Sequence, residues 1–407
     1  MNAPLTGIRV LDMSRILAGP WSAQTFADLG AEVIKIERPG TGDDTRGWGP
    51  PFLKDLDGNE TGEAAYFNSA NRGKKSLTLN IADPEGQEIV RRLAAKSDVL
   101  LENYKAGGLA RYGLGYEDLK KINPGLVYCS ITGFGQTGPY KDRAGYDFMI
   151  QGMGGIMSVT GESDDKLGGG PQKIGIALTD ILTGLYTTIA ALSALRLRDT
   201  TGLGQHVDMA LLDVTAAAMA NQAMNYLVTG EAPGRLGNAH PNIVPYQAFA
   251  TADHHVIIAV GNDGQYQRFC GIGGCPDLAT DPRFASNADR VKNRDILVPK
   301  IEDMMRTKSR AQWLKDLEIA GVPCGPINDL EQLFDDPQVK ARGTRIDLPH
   351  ALAGTAPQVA NPIKYSDAEL CYTQAAPILG QHTDEILSGL LEMDQAEIVR
   401  LKDAGVI

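Results

Sequence analysis

One acidic residue lies between a glycine-rich segment and a long run of small and apolar residues. The glycine-rich segment covers residues 168–171, Asp180 follows, and the apolar run covers residues 185–195. Because such a run predicts a buried helix, the Asp180 carboxylate has three possible roles. It caps the helix, binds a ligand or acts as a nucleophile.

The ionisation of Asp180 depends on two opposing effects. A helix dipole stabilises a carboxylate in the first turn by ~0.3–1 kcal/mol, which lowers its pKa by only ~0.2–0.7. Burial in an apolar pocket raises the pKa, and its effect can be larger. We expect an ionised Asp180 at neutral pH unless its burial is extreme, and therefore a positioned carboxylate nucleophile.

Basic residues form a second candidate site. Most of them directly follow predicted strands, and they occur in four short places: Arg38, residues 72–75, Lys105 with Arg111, and Lys141 with Arg143. Ligands of open parallel sheets bind at those strand ends. Each residue alone fits an ordinary solvated surface, but the whole set on an acidic protein predicts an anionic ligand that carries phosphates.

The elements that must position these residues alternate between strands and helices. The predicted strands cover residues 8–12, 32–37, 77–79, 98–102, 126–131 and 206–210. The predicted helices cover residues 21–29, residues 84–95 with Asp83 as the N-cap, the run after Asp180, and residues 211–227. Residues 41–63 are predicted as a surface loop. The alternation predicts an α/β fold with a parallel sheet.

The chain length of 407 residues predicts two domains, or one domain with a large insertion. Clusters of turn-forming residues at 229–234 and 321–326 are candidate linkers. Between them the pattern predicts a strand at residues 255–260 and a helix at residues 312–320. A further helical pattern covers residues 383–391.

Composition excludes several classes of function. A formal net charge of −11 argues against a nucleic-acid partner. The run at residues 185–195 is too short to span a bilayer, and the N-terminus has no leader pattern, so we expect no membrane partner and a cytoplasmic protein. The five cysteines are scattered, and Cys270 and Cys275 lack two further ligands nearby, so we expect neither a disulfide framework nor a metal site.

A nicotinamide-dependent dehydrogenase is a weak interpretation of the first β-α-β pattern. Glu37 ends the second predicted strand, where dinucleotide-binding proteins place an acid on the ribose. However, the preceding turn, Leu17-Ala-Gly-Pro20, lacks the glycines that let the backbone approach a pyrophosphate.

An ordered series of motifs resembles family III CoA-transferases, the CaiB/BaiF group. The motifs are Leu17-Ala-Gly-Pro20, Gly30-Ala-Glu-Val-Ile-Lys-Ile-Glu-Arg-Pro39, Asn71-Arg-Gly-Lys-Lys-Ser76, Glu102-Asn-Tyr104, Gly133-Phe-Gly-Gln-Thr-Gly-Pro139, Asp180, Thr201-Gly-Leu-Gly-Gln205 and Leu379-Gly-Gln-His-Thr-Asp-Glu-Ile-Leu387. Each motif alone is weak, but the series runs nearly end to end and is highly specific.

The resemblance implies a Rossmann-like large domain formed by both chain ends, with a smaller α/β domain between them. Residues 1–228 would be the first, CoA-binding part of the large domain, residues 229–326 the small domain, and residues 327–407 the return to the large domain. Members of the family form interlocked homodimers, so the resemblance also implies a second copy of the chain as partner.

The resemblance implies roles for individual residues. Asp180 matches the nucleophilic aspartate of the family. The positions that match the CoA contacts of the family are Arg38, Arg72, Lys74, Lys75, Asn103, Tyr104, Arg111 and Arg143. The positions implied near the substrate are Arg15, Leu17, Ala18, Tyr146, Gly261, Asn262 and Gly264, of which the last three belong to a segment that matches a mobile glycine loop. No permanently bound cofactor is implied, because CoA and acyl-CoA are substrates.

The implied reaction passes through covalent intermediates on Asp180. The carboxylate attacks an acyl-CoA thioester and forms a mixed anhydride. The released CoA thiolate then converts the anhydride to an aspartyl-CoA thioester, and the incoming acid repeats the two steps in reverse. Water must be kept out, because it would hydrolyse the anhydride.

Two other functions fit the same series of motifs less well. An α-methylacyl-CoA racemase needs an acid and a base, and racemases carry a histidine where this chain has Tyr146, a poor base at neutral pH. A non-catalytic CoA-binding protein would not need Asp180. The tract from Asp12 to Pro20 is similar to that of succinyl-CoA:dicarboxylate transferases. We therefore expect succinyl-CoA as donor and a dicarboxylate as acceptor, with Arg15 near the distal carboxylate or in a structural salt bridge.

Overall fold

The strands of the protein follow the alternation that the sequence predicts. The computed structural model describes residues 3–407. Its strands are β1 Arg9–Asp12, β2 Glu32–Glu37, β3 Phe52–Lys54, β4 Glu60–Ala64, β5 Lys74–Thr78, β6 Val99–Glu102, β7 Val127–Thr132, β8 His206–Ala210, β9 Tyr246–Ala250, β10 His255–Ala259, β11 Cys324–Pro326, β12 Arg345–His350 and β13 Gly354–Val359.

The helices connect and cover these strands. They are α1 Ala18–Asp28, α2 Ala65–Asn68, α3 Pro84–Ala95, α4 Tyr116–Ile122, α5 Asp147–Met153, α6 Ile156–Val159, α7 Leu178–Thr201, α8 Leu211–Ala218, α9 Ala220–Thr229, α10 Asp263–Ile272, α11 Pro276–Thr280, α12 Asn287–Lys292, α13 Arg294–Met305, α14 Arg310–Ile319, α15 Leu330–Asp335, α16 Pro337–Ala341, α17 Thr383–Glu385 and α18 Gln395–Asp403. Short 3-10 turns cover Asp44–Gly47, Ala110–Tyr112 and Pro282–Phe284, and a π-turn covers Ile386–Leu390.

Six strands form one parallel sheet, in the order β5-β2-β1-β6-β7-β8. The chain first builds the sheet outward from β1 through β2 to β5, and then returns to the other side of β1 with β6. The order therefore reverses between β1 and β6. In open parallel sheets, ligands bind outside the carboxyl ends of the strands at this switch point. The predicted α/β fold with a parallel sheet is confirmed.

Both faces of the sheet are covered, as a parallel sheet requires. Alternate residues of β1 point to opposite faces. Val10 joins a buried cluster with Phe26 of α1 and Ala191 of α7. Leu11 joins the cluster on the other face, which includes Leu93 of α3 and several residues of the C-terminal segment.

Buried charges hold the carboxyl end of β1. Lys74 Nζ lies 2.8 Å from Asp12 Oδ2, and Lys35 Nζ lies 2.9 Å from Asp43 Oδ2 and 3.9 Å from Asp12 Oδ2. All four side chains are inaccessible or nearly so. Burial by itself would raise the pKa of Asp12, but the charges of Lys74 and Lys35 outweigh it and hold the pKa below its usual value. Burial lowers the pKa of Lys74 to about 8.

The chain divides into two units. The first contains the chain up to Ile156, Ile174–Ala223 and Gln338–Ile407, and the second contains Met157–Lys173 and Met224–Pro337. The second unit has its own antiparallel sheet, in the order β11-β10-β9, and its own apolar core around Trp313. The assignment of a CoA-binding domain and a small domain to particular residues stays a prediction.

Several elements match the sequence prediction and several differ. The strands at 32–37 and 206–210 and the helix at 84–95 are confirmed, and the Asp83 side chain accepts from the Glu85 N–H as an N-cap. The segment 41–63 is wrong as a plain loop, because it contains β3 and β4. The predicted helix at 211–227 is interrupted between α8 and α9, where Ala220 has a φ of 42°.

The helix after Asp180 is longer than the apolar run that predicted it. Among residues 3–407, α7 alone has the length and apolar composition of a membrane span. Buried core helices pass the same test, and Ala191, Ala194 and Leu195 of α7 pack in the core against the sheet. We therefore describe α7 as a core helix of the first unit.

We predict that Asp12→Asn strongly destabilises the first unit. The substitution leaves the ammonium groups of Lys74 and Lys35 buried without their shared anion, and breaking a buried ion pair costs about 3–5 kcal/mol. The control is Asp384→Asn, which breaks the exposed ion pair with Lys402 and should cost less than about 1 kcal/mol. Urea unfolding followed by circular dichroism measures both. Equal unfolding midpoints for the two variants would contradict the role of Asp12.

Candidate active site

Asp180 is the third residue of α7, so it lies within the first helical turn. The N-cap position is Ala177, which provides no side-chain cap. The Asp147 carboxylate, from the first turn of α5, takes that role. Its Oδ1 accepts from the backbone N–H of Thr179 at 2.8 Å and from that of Asp180 at 3.3 Å. The predicted capping role of Asp180 is therefore wrong.

Gln151 fixes both the capping group and the segment that enters α7. It lies one turn after Asp147 on α5 and is fully buried. Its Nε2 donates to Asp147 Oδ2 at 2.7 Å, and its Oε1 accepts from the Ile174 N–H at 2.9 Å. The amino end of α7 is thus defined by a side chain that is itself held in place.

Within residues 3–407, the Asp180 side chain takes no part in the hydrogen-bond network that holds the start of α7. The residue is only 9% exposed, and within residues 3–407 no hydrogen bond or ion pair ends on its carboxylate. Burial, with a smaller contribution from the negative charge of Asp147, raises the pKa of Asp180 to about 7. The exception that the sequence analysis allowed therefore applies, because the burial of Asp180 opposes the ionised form of its carboxylate near neutral pH.

Tyr66 of α2 lies near this carboxylate. Burial, followed by the negative charge of Asp180, raises the pKa of the Tyr66 phenol to about 12. The ring of Tyr66 packs edge-on against Trp48, with ring centroids 5.0 Å apart. Sequence reasoning missed both aromatic residues because they lie in or beside a polar, glycine-rich segment, and their only signal was their residue type. The sequence analysis also gave no role to Asp147.

The start of α1 lies against α7. A Cβ atom built on Gly184 would be 2.6 Å from the Ala18 carbonyl oxygen, so only glycine permits this approach. Gly184 is one turn after Asp180 and on the same face of the helix. Leu17 and Ala18, two of the residues implied near the substrate, are both buried. The structure therefore brings them to the helix that carries Asp180.

Arg15 lies at the switch point of the sheet, in the loop after β1. Asn103, which directly follows β6, holds its backbone: Asn103 Oδ1 accepts from the Arg15 N–H at 2.9 Å, and Asn103 Nδ2 donates to the Arg15 carbonyl at 2.7 Å. Arg15 Nη1 donates to Asp44 Oδ2 at 2.8 Å. The structural salt bridge considered for Arg15 is present, with an exposed partner.

Tyr104 follows Asn103 and is half-buried against the apolar cluster on one face of the sheet. Its N–H donates to Glu102 Oε2 at 2.7 Å. Burial raises the pKa of Glu102 to about 7. Asn103 and Tyr104, two of the residues implied at the CoA site, therefore lie at the switch-point end of β6, and Glu102 anchors the backbone of Tyr104.

The basic residues implied at the CoA site fall into two groups. Arg72 is buried and donates two hydrogen bonds to the Asp28 carboxylate, at 2.8 and 2.6 Å, and Lys74 is enclosed as described above. Lys75 pairs with Glu32 and Glu385. The exposed group consists of Arg38, Arg111 and Arg143, and Arg143 lies over the rings of Phe134 and Tyr140. Binding of CoA by either group stays a prediction.

Other predicted residues lie at the surface. Tyr146 is 64% exposed and directly precedes Asp147. In the second unit, Gly261, Asn262 and Gly264 are exposed at the start of α10. There Asn262 Oδ1 accepts from the Gln265 N–H at 2.9 Å. Across residues 3–407, no group of three or more potential metal-ligating side chains is present.

We predict that Asp180→Asn stabilises the first unit at alkaline pH. A raised pKa means that folding disfavours the ionised carboxylate, so its cost is complete above about pH 7 and vanishes as pH falls toward 4. The melting temperature of the variant should exceed that of the unmodified protein by a few degrees at pH 8, since about 1 kcal/mol corresponds to ~2–4 °C in a domain of this size. The difference should shrink at pH 5. If the difference in melting temperature does not change with pH, the raised pKa of Asp180 is contradicted.

Comparisons with known proteins agree with this architecture. A family description, CoA-transferase family III, matches residues 5–383. A succinate–glutarate CoA-transferase of Agrobacterium fabrum is 51% identical over 387 residues, which cover 95% of this chain and 96% of that protein. A succinyl-CoA:glutarate CoA-transferase of Homo sapiens is 41% identical over 404 residues, which cover 99% and 90%.

A solved structure shares the same fold. The crystal structure of a CaiB/BaiF family protein from Brucella suis has 53% sequence identity and a TM-score of 0.83, and the match covers 96% of this chain and 100% of that one. The resemblance drawn from the ordered motifs is thereby confirmed. This chain belongs to CoA-transferase family III and is an enzyme of the CoA-transferase type.

Proposed function

We propose that this enzyme transfers CoA from succinyl-CoA to a free dicarboxylate of the glutarate type, with Asp180 as the nucleophile. The observation that carries the proposal is the Asp180 carboxylate itself, which is buried and accepts no hydrogen bond from any of residues 3–407. Asp147 caps the helix in its place. The names of the relatives support the substrate class, since two of them are transferases for succinate or succinyl-CoA and glutarate.

The first half of the reaction would load CoA onto the enzyme. The ionised Asp180 attacks the thioester carbonyl of succinyl-CoA, the C–S bond breaks, and a succinyl-aspartyl anhydride and the CoA thiolate form. The thiolate then attacks the aspartyl carbonyl of the anhydride. Succinate leaves as a carboxylate, and an aspartyl-CoA thioester remains.

The second half would reverse these steps with a new acid. The acceptor carboxylate attacks the aspartyl thioester, which releases the CoA thiolate and forms a new anhydride. The thiolate attacks the acyl carbonyl of the acceptor, the acceptor leaves as its CoA thioester, and Asp180 leaves as the carboxylate. Each step exchanges one activated acyl bond for another, so no nucleotide triphosphate is consumed.

The raised pKa of Asp180 fits this role. A carboxylate that is poorly solvated in the folded protein is a stronger nucleophile than one in water, because less solvation is lost when it attacks. The Gly261 N–H already donates to Gln265 Oε1 at 2.7 Å, and the involvement of Gly261, Asn262 and Gly264 in substrate binding stays a prediction. The involvement of Tyr146 in substrate binding stays a prediction.

We assign the phosphates of CoA to the exposed cations Arg38, Arg111 and Arg143. Each is exposed, and in the part of the chain from residue 3 onward none forms an ion pair with an acidic side chain. Lys75 can bind a phosphate of CoA only if its ion pairs with Glu32 and Glu385 break. Arg72 and Lys74 are buried, and the buried carboxylates of Asp28 and Asp12 already neutralise their charges. We therefore assign them support of the site from inside the fold and no direct contact with the phosphates.

We also propose that the enzyme works as an interlocked homodimer. Support comes from apolar side chains that α5 and α7 leave exposed on a single copy. They are Phe148, Met149, Met153, Leu185, Tyr186 and Ile189. Exposed apolar patches of this kind mark protein interfaces. A cytosolic location stays a prediction.

We predict that Asp180→Asn abolishes exchange while CoA binding persists. The amide keeps the shape of the side chain but cannot form the anhydride. The assay incubates the enzyme with succinyl-CoA and a panel of free acids and identifies new acyl-CoA products by mass spectrometry, and calorimetry measures CoA binding. Turnover by Asp180→Asn within tenfold of the unmodified enzyme would remove Asp180 from the mechanism. Epimerisation of an α-methylacyl-CoA by the unmodified enzyme, without any exchange of CoA between acids, would indicate a racemase.

We predict that Asp147→Asn moves the acid limb of the pH–rate profile to lower pH. Protonated Asp180 cannot attack, so kcat/KM should fall about tenfold per pH unit below pH 7. The substitution removes the negative charge that helps to raise the pKa of Asp180. The amide oxygen of the new side chain can still cap α7, although the hydrogen bond from Gln151 Nε2 to Oδ2 is lost. The control is Asp142→Asn, which removes an exposed charge from the same segment. If the acid limb moves in neither variant, or equally in both, the electrostatic coupling between Asp147 and Asp180 is contradicted.

A further inference from the structure

We infer that Asp44 is a specificity residue: it is an internal carboxylate ligand of Arg15, and the second carboxylate of a dicarboxylate substrate must displace it. The inference rests on the proposed function and adds that Asp44 competes with the substrate carboxylate for Arg15. It is carried by three features of the loop after β1, namely its place in the sheet, its rigidity and the exposure of the Arg15–Asp44 ion pair.

Arg15 lies at the switch point of the sheet, where open parallel sheets bind ligands. Arg15 follows β1 and Asn103 follows β6, so the two hydrogen bonds between them bridge the switch point of the sheet. Arg15 also lies close enough to Tyr104 for its positive charge to act on the Tyr104 phenol. A cation at the carboxyl ends of these strands is positioned to bind an anion.

The backbone around Arg15 is rigid and strained. Ile16 has a φ of 73°, a left-handed conformation that is an outlier for a β-branched residue. Asn103 holds the preceding peptide, and Asp43 Oδ1 accepts from the Ile16 N–H at 3.2 Å. Strain of this kind persists where neighbouring groups enforce it, and it concentrates at functional sites. The Arg15 side chain therefore extends from a fixed base.

Asp44 is held opposite Arg15 by its neighbour in sequence. Asp43 is buried and paired with Lys35, so the 3-10 turn Asp44–Gly47 begins from an anchored residue. The turn ends at Trp48, whose ring contacts Tyr66, and Tyr66 responds to the charge of Asp180. The turn that begins at Asp44 thus leads to an aromatic pair, and the negative charge of the proposed nucleophile acts on the phenol of that pair.

The Arg15–Asp44 pair is the exchangeable ion pair of this segment. Its side chains are 51% and 47% exposed, so water already competes for both charges. The nearby Arg46 is different, because its pair with Glu37 has exposures of 10% and 1% and it also contacts Glu63. A dicarboxylate can take Arg15 from Asp44, whereas a monocarboxylate has no second charge to offer. The same subsite would serve the donor and the acceptor in turn.

The test measures KM for glutarate and for pentanoate, a monocarboxylate of the same chain length, with succinyl-CoA as donor. In Asp44→Asn, KM for glutarate should fall about two- to fivefold, the size expected for loss of an exposed ion-pair competitor. KM for pentanoate should change by less than that. In Arg15→Met, KM for glutarate should rise about tenfold or more, as for a lost charged hydrogen bond.

A double variant and a matched control make the result specific. Asp44→Asn introduced into Arg15→Met should no longer change KM for glutarate, because no cation remains to compete for. Asp57→Asn removes an exposed charge from the same segment and should change neither KM. An equal fall for glutarate and pentanoate in Asp44→Asn, or no fall for glutarate, would overturn the inference while exchange itself still supports the proposed function. Absence of exchange with every acid in the unmodified enzyme would overturn the proposed function and the inference with it.

Discussion

The carboxyl end of β1 is held by one buried group, the Asp12 carboxylate, and the residues of the site depend on it. Asp12 binds Lys74 of β5 and accepts from the Ser14 N–H, while Lys35 of β2 joins Ser14 and Asp43. Three adjacent strands are thereby joined to the loop that carries Arg15 and to the turn that carries Asp44. Charges buried this deeply are stable only when they are paired. These ion pairs therefore fix the conformation of the loop.

The amino end of α7 shows a division of roles between two aspartates. A helix start needs a hydrogen-bond acceptor for its free N–H groups, and Asp147 supplies it from a different helix. Asp180 is therefore not needed as the cap of α7, and Asp147 adds a nearby negative charge that contributes to the raised pKa of Asp180. The same arrangement fixes the position of Asp180 and weakens the solvation of its carboxylate, and both effects suit the nucleophilic role that we propose for it.

Cations in this protein serve two purposes that the sequence does not distinguish. Arg72, Lys74 and Arg46 neutralise buried carboxylates, and they stabilise the fold. Arg38, Arg111 and Arg143 are exposed and available to an anionic ligand. In the motif Asn71-Arg-Gly-Lys-Lys-Ser76, two adjacent basic residues have different surroundings, since Lys74 points into the protein and Lys75 is partly exposed. Strand alternation places them on opposite faces.

The sequence by itself determined the α/β fold, the boundaries of several strands and helices, and the family, and it predicted Asp180 as the nucleophile, because these follow from local periodicity and from ordered motifs. It did not determine the capping by Asp147, the proximity of Tyr66 and Trp48, the burial of Arg72 and Lys74, or the raised pKa of Asp180. Each of these depends on which residues, distant in the chain, pack around a group and exclude water from it. Only the tertiary structure decides that, since the ionisation and availability of a side chain are properties of its surroundings and not of its type.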